Sequence, residues 1–258
     1  MIQTKDLTIS INNNILCHQL NLDIQPGKIW GILGPNASGK TTLLQTLAGL
    51  LPIKKGNIFI QDRQLSQLSR KKIAQTIGFL FQEMKMIFPQ SVENFCLLAR
   101  YPHLSFLKKI SSHDKEIMIH ALQQMDLIQK RNECITRLSG GEKRRLAIAA
   151  LLTQTPSTYL LDEPTNHLDI RHQMHVLNHF RELSKKQRVS VMMSLHDINL
   201  AQSFCDNLLL IYPEGKTVQG KTCDILTENN LTRLYQHPII SLQSSWQPGK
   251  ETICLSQS

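Results

Sequence analysis

No apolar stretch in this chain is long enough to cross a bilayer: the longest, Leu146 to Leu152, falls far short of the ~20 residues a spanning helix needs. The segment Met1 to Asn14 is polar and holds no apolar signal core, so the expected location is cytoplasmic. Cys17, Cys96, Cys134, Cys205, Cys223 and Cys254 are scattered, with no pair at metal-ligand or redox spacing, and read as reduced packing residues. Aromatics are sparse at 5%, and 12 Gly and 10 Pro are scattered along the chain, which excludes fixed-period repeats and low-complexity tracts. What remains is 258 residues, 41% hydrophobic and 19% charged, enough to bury a core and too apolar to be disordered. Twenty-nine Lys and Arg against 20 Asp and Glu give a net charge of +9. That excess suits phosphate, nucleic acid or an anionic membrane face, and suits a plain basic surface equally well.

Short β-like runs open the chain, at Leu7 to Ile11, Leu20 to Ile24 and Ile29 to Leu33, the last running into a glycine-rich segment. A helix is expected over Thr41 to Leu50, with apolar positions at 43, 44, 47 and 50 and Pro52 as its stop. Strands follow at Ile58 to Ile60 and Ile77 to Phe81. From Phe88 to Leu152 the pattern turns helical, with Ile117, Ala121 and Met125 on one stripe and Ser111 with Asp114 as a cap. Strands return at Ser157 to Leu161, Val189 to Leu195 and Leu208 to Tyr212, with a helix expected from Ile170 to Ser184. A helical insert thus interrupts an α/β core. Beyond Tyr235 the tail, with Pro238, Trp246 and Pro248, shows no periodicity.

Chemistry concentrates in three places. Gly34-Pro35-Asn36-Ala37-Ser38-Gly39-Lys40-Thr41 follows a strand and opens a helix, the arrangement in which backbone N–H groups wrap phosphates. Lys40 would reach the β- and γ-phosphates and the Thr41 hydroxyl would bind Mg²⁺, which makes a nucleoside triphosphate the leading ligand. The apolar run Tyr159-Leu160-Leu161 ends in Asp162-Glu163-Pro164. Successive strand side chains diverge, so the two carboxylates divide the work: Asp162 on the Mg²⁺ hydration shell, Glu163 as general base for the attacking water. Leu138-Ser139-Gly140-Gly141-Glu142 precedes a strong helix, Lys143 to Thr153, and offers a second anion site at a helix N-terminus. Either it is a flexible Ser-Gly turn, or it caps the nucleotide of a second copy in an isologous dimer.

Taken together, these motifs resemble the ATP-binding subunit of ABC transporters over nearly everything from Leu7 to Leu234. They stand in the order of that family: the phosphate loop Gly34 to Thr42, the Q-loop Gln82, the LSGGE signature, the Asp162-Glu163 pair and the switch histidine His196, with Asn166-His167-Leu168-Asp169 matching the D-loop of the dimer seam. The resemblance implies a P-loop NTPase (RecA-like) α/β core with an antiparallel β part and an inserted helical subdomain. It makes residues 1–258 one domain, with 1–87 and 155–235 the catalytic core, 88–154 the helical subdomain and 236–258 an extension. It implies Glu163, His196 and Gln82 as catalytic residues and Thr41, Gln82 and Asp162 around Mg²⁺. The phosphate loop through Thr42, with Ser139, Gly140, Gly141 and Asp169, would contact ATP.

Three positions depart from the family pattern. Ile11 stands about where an aromatic commonly stacks on adenine, Ala37 replaces a usual glycine, and Arg144 replaces a frequent glutamine. The last two leave every phosphate and metal ligand in place, so an active ATPase is expected. Within the insert, Ala99-Arg100-Tyr101-Pro102-His103 and Ser111 to Leu122 resemble importers of iron–siderophore complexes, haem and cobalamin, although Ala99 stands where glycine is usual. His196-Asp197-Ile198-Asn199, Cys205-Asp206 and the tail Ile253-Cys254-Leu255 point the same way. The expected protein is therefore a homodimer around two MgATP. It would sit on the inner face of the cell membrane and drive a separate integral-membrane permease, served by a periplasmic or surface substrate-binding protein, with no nucleic acid partner. A soluble ATPase of iron–sulfur cluster assembly or macromolecular remodelling is the rival reading.

Overall fold

The computed structural model describes residues 1–11, 14–83, 88–105 and 109–237, with the backbone alone given for Ile11 and Asn14. The readings that fall on Pro238, Trp246, Pro248 and Ile253 to Leu255 lie outside the described residues.

The chain begins with β1 (Ile2–Ile11), β2 (Asn14–Leu20), β3 (Asp23–Ile24) and β4 (Ile29–Leu33). Helix α1 (Lys40–Leu47), β5 (Lys55–Ile60), β6 (Arg63–Gln64), α2 (Arg70–Thr76) and β7 (Ile77–Leu80) follow. Three helices, α3 (Val92–Leu98), α4 (Ser112–Gln124) and α5 (Gly140–Gln154), separate β7 from β8 (Thr158–Leu161). The remainder is α6 (Ile170–Gln187), β9 (Ser190–Ser194), α7 (Ile198–Phe204), β10 (Asn207–Ile211), β11 (Thr217–Lys221), α8 (Thr222–Ile225) and α9 (Glu228–Tyr235). The fold class is the expected one.

Two sheets result. A six-stranded sheet has the order β11-β10-β4-β9-β8-β7, parallel throughout except for β11, and a second, antiparallel sheet runs β2-β1-β5-β6 with β3 beside β1. Strands β4, β8 and β9 are buried along their whole length, as near-continuous apolar runs must be when both faces of a parallel sheet are covered. Their side chains alternate between two cores. Trp30, Ile32, Leu160 and Met192 pack on the side of α1 and the antiparallel sheet, while Leu33, Leu161, Val191 and Met193 pack toward the helical side. Leu43, Leu44 and Leu47 of α1 fill the first core, each burial contributing about 1.5–3 kcal/mol.

The structure revises several boundaries. Leu20 to Ile24 forms not one strand but the end of β2 and all of β3. Helix α1 stops at Leu47, short of Leu50, because Gly49 at φ +70° turns the chain before Pro52 can. The cap expected on α4 is present as a reciprocal pair, Ser111 accepting from the Asp114 amide and Asp114 accepting from Ser111.

Candidate functional site

A parallel sheet brings the carboxyl ends of its strands to one edge, which is where α/β folds bind ligands. Here β4 delivers the Gly34 to Thr42 loop, β7 delivers Phe81 and Gln82, β8 delivers Asp162 and Glu163, and β9 delivers Ser194 to His196. A cleft of about 780 Å³ opens along that edge, with Lys40, Thr41, Gln82, Glu163, Asn166 and His196 among its walls.

The loop is shaped for backbone contact. A Cβ on Gly34 would lie 2.6 Å from Ser38 Oγ and 2.8 Å from the Ile211 carbonyl, and Gly39 sits at φ +99°. Only glycine meets both demands cheaply. Ala37 adopts φ +61°, the left-handed conformation that glycine favours, so the usual glycine of this position has a conformational reason. The buried Lys40 Nζ donates to the Gly34 and Pro35 carbonyls at 2.8 and 3.0 Å, holding the loop closed around its own ammonium. Burial pushes the Lys40 pKa below its ordinary value, opposed by the charges of Glu163 and Asp162.

The carboxylates diverge as strand geometry requires. Buried Asp162 accepts the Ser194 hydroxyl at 2.7 Å through Oδ1, and Ser194 Oγ in turn accepts the Glu163 amide at 2.8 Å. Glu163, at φ +48°, turns into the cleft, where His196 Nε2 meets Oε1 at 2.5 Å and Asn166 Nδ2 donates to Oε2. Among the described residues, buried Asp162 Oδ2 and Ser38 Oγ have no hydrogen-bond partner. Unpaired oxygen donors beside a phosphate loop fit a hard cation and its waters, so the residues present suit Mg²⁺.

Four residues assigned to the nucleotide lie elsewhere. Ser139, Gly140, Gly141 and Asp169 are not among the residues lining the cleft; Gly34, Pro35 and buried Asp162 are not wall residues either, but Gly34 and Pro35 hold the Lys40 ammonium and Asp162 precedes the lining Glu163. Ser139 caps α5 in a reciprocal pair with Glu142, and Glu142 also takes Lys130 at 2.6 Å, so the turn is tied to the helix by side-chain contacts. Ser139 and Gly140 are exposed, and a Cβ on Gly140 would meet nothing within 4 Å. Asp169 caps α6, accepting the His172 amide at 2.8 Å.

The sequence reading missed Ser194 and the contact of Asn166 with Glu163. The available signal for Ser194 was a hydroxyl at the carboxyl end of the apolar run from Val189 to Leu195, which carries a second one, Ser190, at its start. Leu16, also unread, lines the cleft next to Gly39. The side chain of Ile11, expected there, lies outside the described residues.

The Ala99 to His103 segment is structural in the free chain. Arg100 is buried and ties the end of α3 to Asp114 at 2.7 Å, to the Thr153 carbonyl at 3.0 Å and to Thr155 Oγ1 at 2.9 Å. Tyr101 to His103 form a 3-10 turn, and Ala99 takes φ −66°, where glycine is not required.

Sequence comparison matches residues 17–166 to the family described as ABC transporter. The petrobactin import ATP-binding protein FpuD of Bacillus anthracis is 35% identical over 232 residues, covering 88% of this chain and 83% of that protein. The hemin import ATP-binding protein HmuV of Escherichia coli O157:H7 is 34% identical over 250 residues, covering 94% of this chain and 95% of that protein. Among solved structures, an ABC transporter in an inward-facing conformation superposes with a TM-score of 0.81 at 30% identity, over 92% of this chain and 89% of that one. The dimeric post-hydrolysis ATP-binding cassette MJ0796, bound to ADP and Pi, shares the fold with a TM-score of 0.75 at 24% identity, over 86% of this chain and 99% of that one.

Proposed function

The chain belongs to the ABC transporter family, as an ATPase of that family, and from this premise we propose that two copies close around two MgATP to drive uptake of a metal chelate through a separate permease. The observation that carries the reading is the convergence of Lys40, Gln82, Glu163 and His196 on one cleft behind a phosphate loop. The iron-chelate class comes from its relatives, the petrobactin and hemin import proteins among them. No helix of the described residues is long and apolar enough to span a membrane, so transport on this reading requires an integral-membrane partner, with this subunit peripheral on the inner face and a substrate-binding protein outside.

Within one site, the amides of Gly34 to Thr42 receive the phosphates and Lys40 turns from the Gly34 and Pro35 carbonyls to the β- and γ-oxygens. Glu163 takes the proton of the attacking water, Gln82 orients that water, and His196 leaves Glu163 to hold the γ-phosphate. Thr41, Asp162 and Gln82 would hold Mg²⁺, which when bound neutralises charge on the transferring phosphoryl group. Ser139, Gly140, Gly141 and Asp169 serve the nucleotide of the partner copy, which accounts for their place outside the cleft of their own chain and for the exposure of Ser139, Gly140 and Asp169. Residues 1–87 and 155–235 form the catalytic core, 88–154 the helical subdomain that meets the permease, and 236–258 an extension.

Mixing two inactive variants tests the shared site. A Ser139→Arg chain and a Lys40→Ala chain together form one intact composite site and one doubly broken site. ATP-dependent dimerisation and hydrolysis should return in the mixture and be absent from either variant alone. No recovery at any mixing ratio counts against a site built by two copies.

A further inference from the structure

Arg144 lies one turn inside α5 from Ser139 and is buried at 5% exposure, yet its guanidinium makes five hydrogen bonds, each to a main-chain carbonyl. Nη1 donates to Phe81 at 2.5 Å and Gln82 at 3.2 Å; Nη2 donates to Asp162 and Glu163, both at 2.6 Å; Nε donates to Pro164 at 3.4 Å. A guanidinium carries five N–H donors in a rigid plane, and all five are used. Burial lowers its pKa to about 10, with the charges of Asp162 and Glu163 acting in the opposite direction.

The five carbonyls belong to two segments that the proposed chemistry needs in register. Phe81 and Gln82 leave β7, while Asp162 to Pro164 leave β8, and Glu163 is held at φ +48°. A side chain at the position of Arg144 therefore fixes the backbone on which both Gln82 and Glu163 stand. Because it belongs to the first turns of α5, the same side chain links that backbone to the exposed Ser139-Gly140 surface.

We propose that Arg144 is a positioning residue that holds the Gln82 and Glu163 backbones in catalytic register and transmits engagement of the Ser139 surface by a second copy to them. The inference rests on the ATPase reading above. It also explains why arginine rather than glutamine stands here: one glutamine amide has two N–H groups and satisfies at most two of the five carbonyls, and a lysine ammonium has three. The phosphate loop is untouched by Arg144, so nucleotide binding is separable from turnover.

The test compares full-length wild type, Arg144→Lys and Arg144→Gln for MgATP affinity, KM, kcat and the Hill coefficient of hydrolysis, with thermal unfolding to establish the folded fraction of each. Misplacement of reacting groups by about 1 Å can cost about a hundredfold in rate. The expected result is kcat per folded molecule falling at least about tenfold in Arg144→Gln, less in Arg144→Lys, with MgATP affinity changed by less than about threefold and the Hill coefficient falling toward one. Lysine keeps the charge and some donors, so its partial rescue separates the donor count from charge alone. Wild-type kcat per folded molecule in both variants, or a rise in KM at unchanged kcat, overturns the proposal. A wild-type chain that neither binds nor hydrolyses MgATP overturns the underlying ATPase reading instead.

Discussion

Ala37 carries the phosphate loop through φ +61° with a side chain where glycine pays least, and the left-handed conformation costs an L-residue about 1–2 kcal/mol. Glycine regains part of that while losing about 0.5–1 kcal/mol to its freer unfolded chain. Ala37→Gly should therefore raise stability by about 0.5–1 kcal/mol, read as a rise of about 2 °C in the thermal midpoint. A fall would mean that the methyl group packs favourably enough to outweigh its backbone. Ser194 shows the opposite case, a residue whose identity looked incidental in sequence. Ser194→Ala would strip Asp162 Oδ1 and the Glu163 amide of their shared partner, both in buried surroundings. The expected loss is about 1–3 kcal/mol in urea unfolding, with kcat falling while KM holds. The motif residues were legible because their chemistry is local to a few consecutive positions. Ser194 and Arg144 were not, since their partners come from strands far along the chain, and Arg144 read only as a change that left the ligands in place.

At the scale of elements, the junction of α3, α4 and α5 depends on a buried ion pair. Hydrogen bonds from Ser111, then the Arg100 guanidinium, hold the Asp114 carboxyl at about 2, below its ordinary 3.8. A depressed carboxylate contributes stability that is complete above the unfolded value and is lost as pH falls toward the folded one. Asp114→Asn should thus cost about 3–5 kcal/mol near neutral pH, with its gap from wild type narrowing between about pH 4 and pH 2. A gap that stays constant down to pH 2 would remove the ionic account. The long periodic helices and the buried strands were readable from apolar spacing alone. The edge elements β2, β6 and β11 and the short helices α2, α7, α8 and α9 were not, because half-exposed strands and single turns carry little periodicity and take their shape from neighbours.

For the whole molecule, the decisive feature is direction. Four strands that run parallel end on one edge, so residues separated by more than a hundred positions, Lys40 and Glu163 among them, face a common cleft. Order of motifs along the sequence foretold that gathering only through resemblance; spacing by itself does not fix which strands are adjacent, and the order β4-β9-β8-β7 is set by packing of two cores against one sheet. On the proposed function the exposed Ser139 surface serves a second copy, and the mixing of inactive variants tests that. The central claim is that Glu163 performs the proton transfer in a cleft that otherwise binds MgATP without it. Replacing its carboxylate by an amide keeps size and shape and removes the base, so hydrolysis and binding should part. The direct measurement is single-turnover hydrolysis alongside equilibrium MgATP binding for wild type and Glu163→Gln. The account predicts a rate lower by about a hundredfold or more with affinity within about threefold of wild type. Hydrolysis by Glu163→Gln at near wild-type rate, with the protein folded and nucleotide bound, would contradict it.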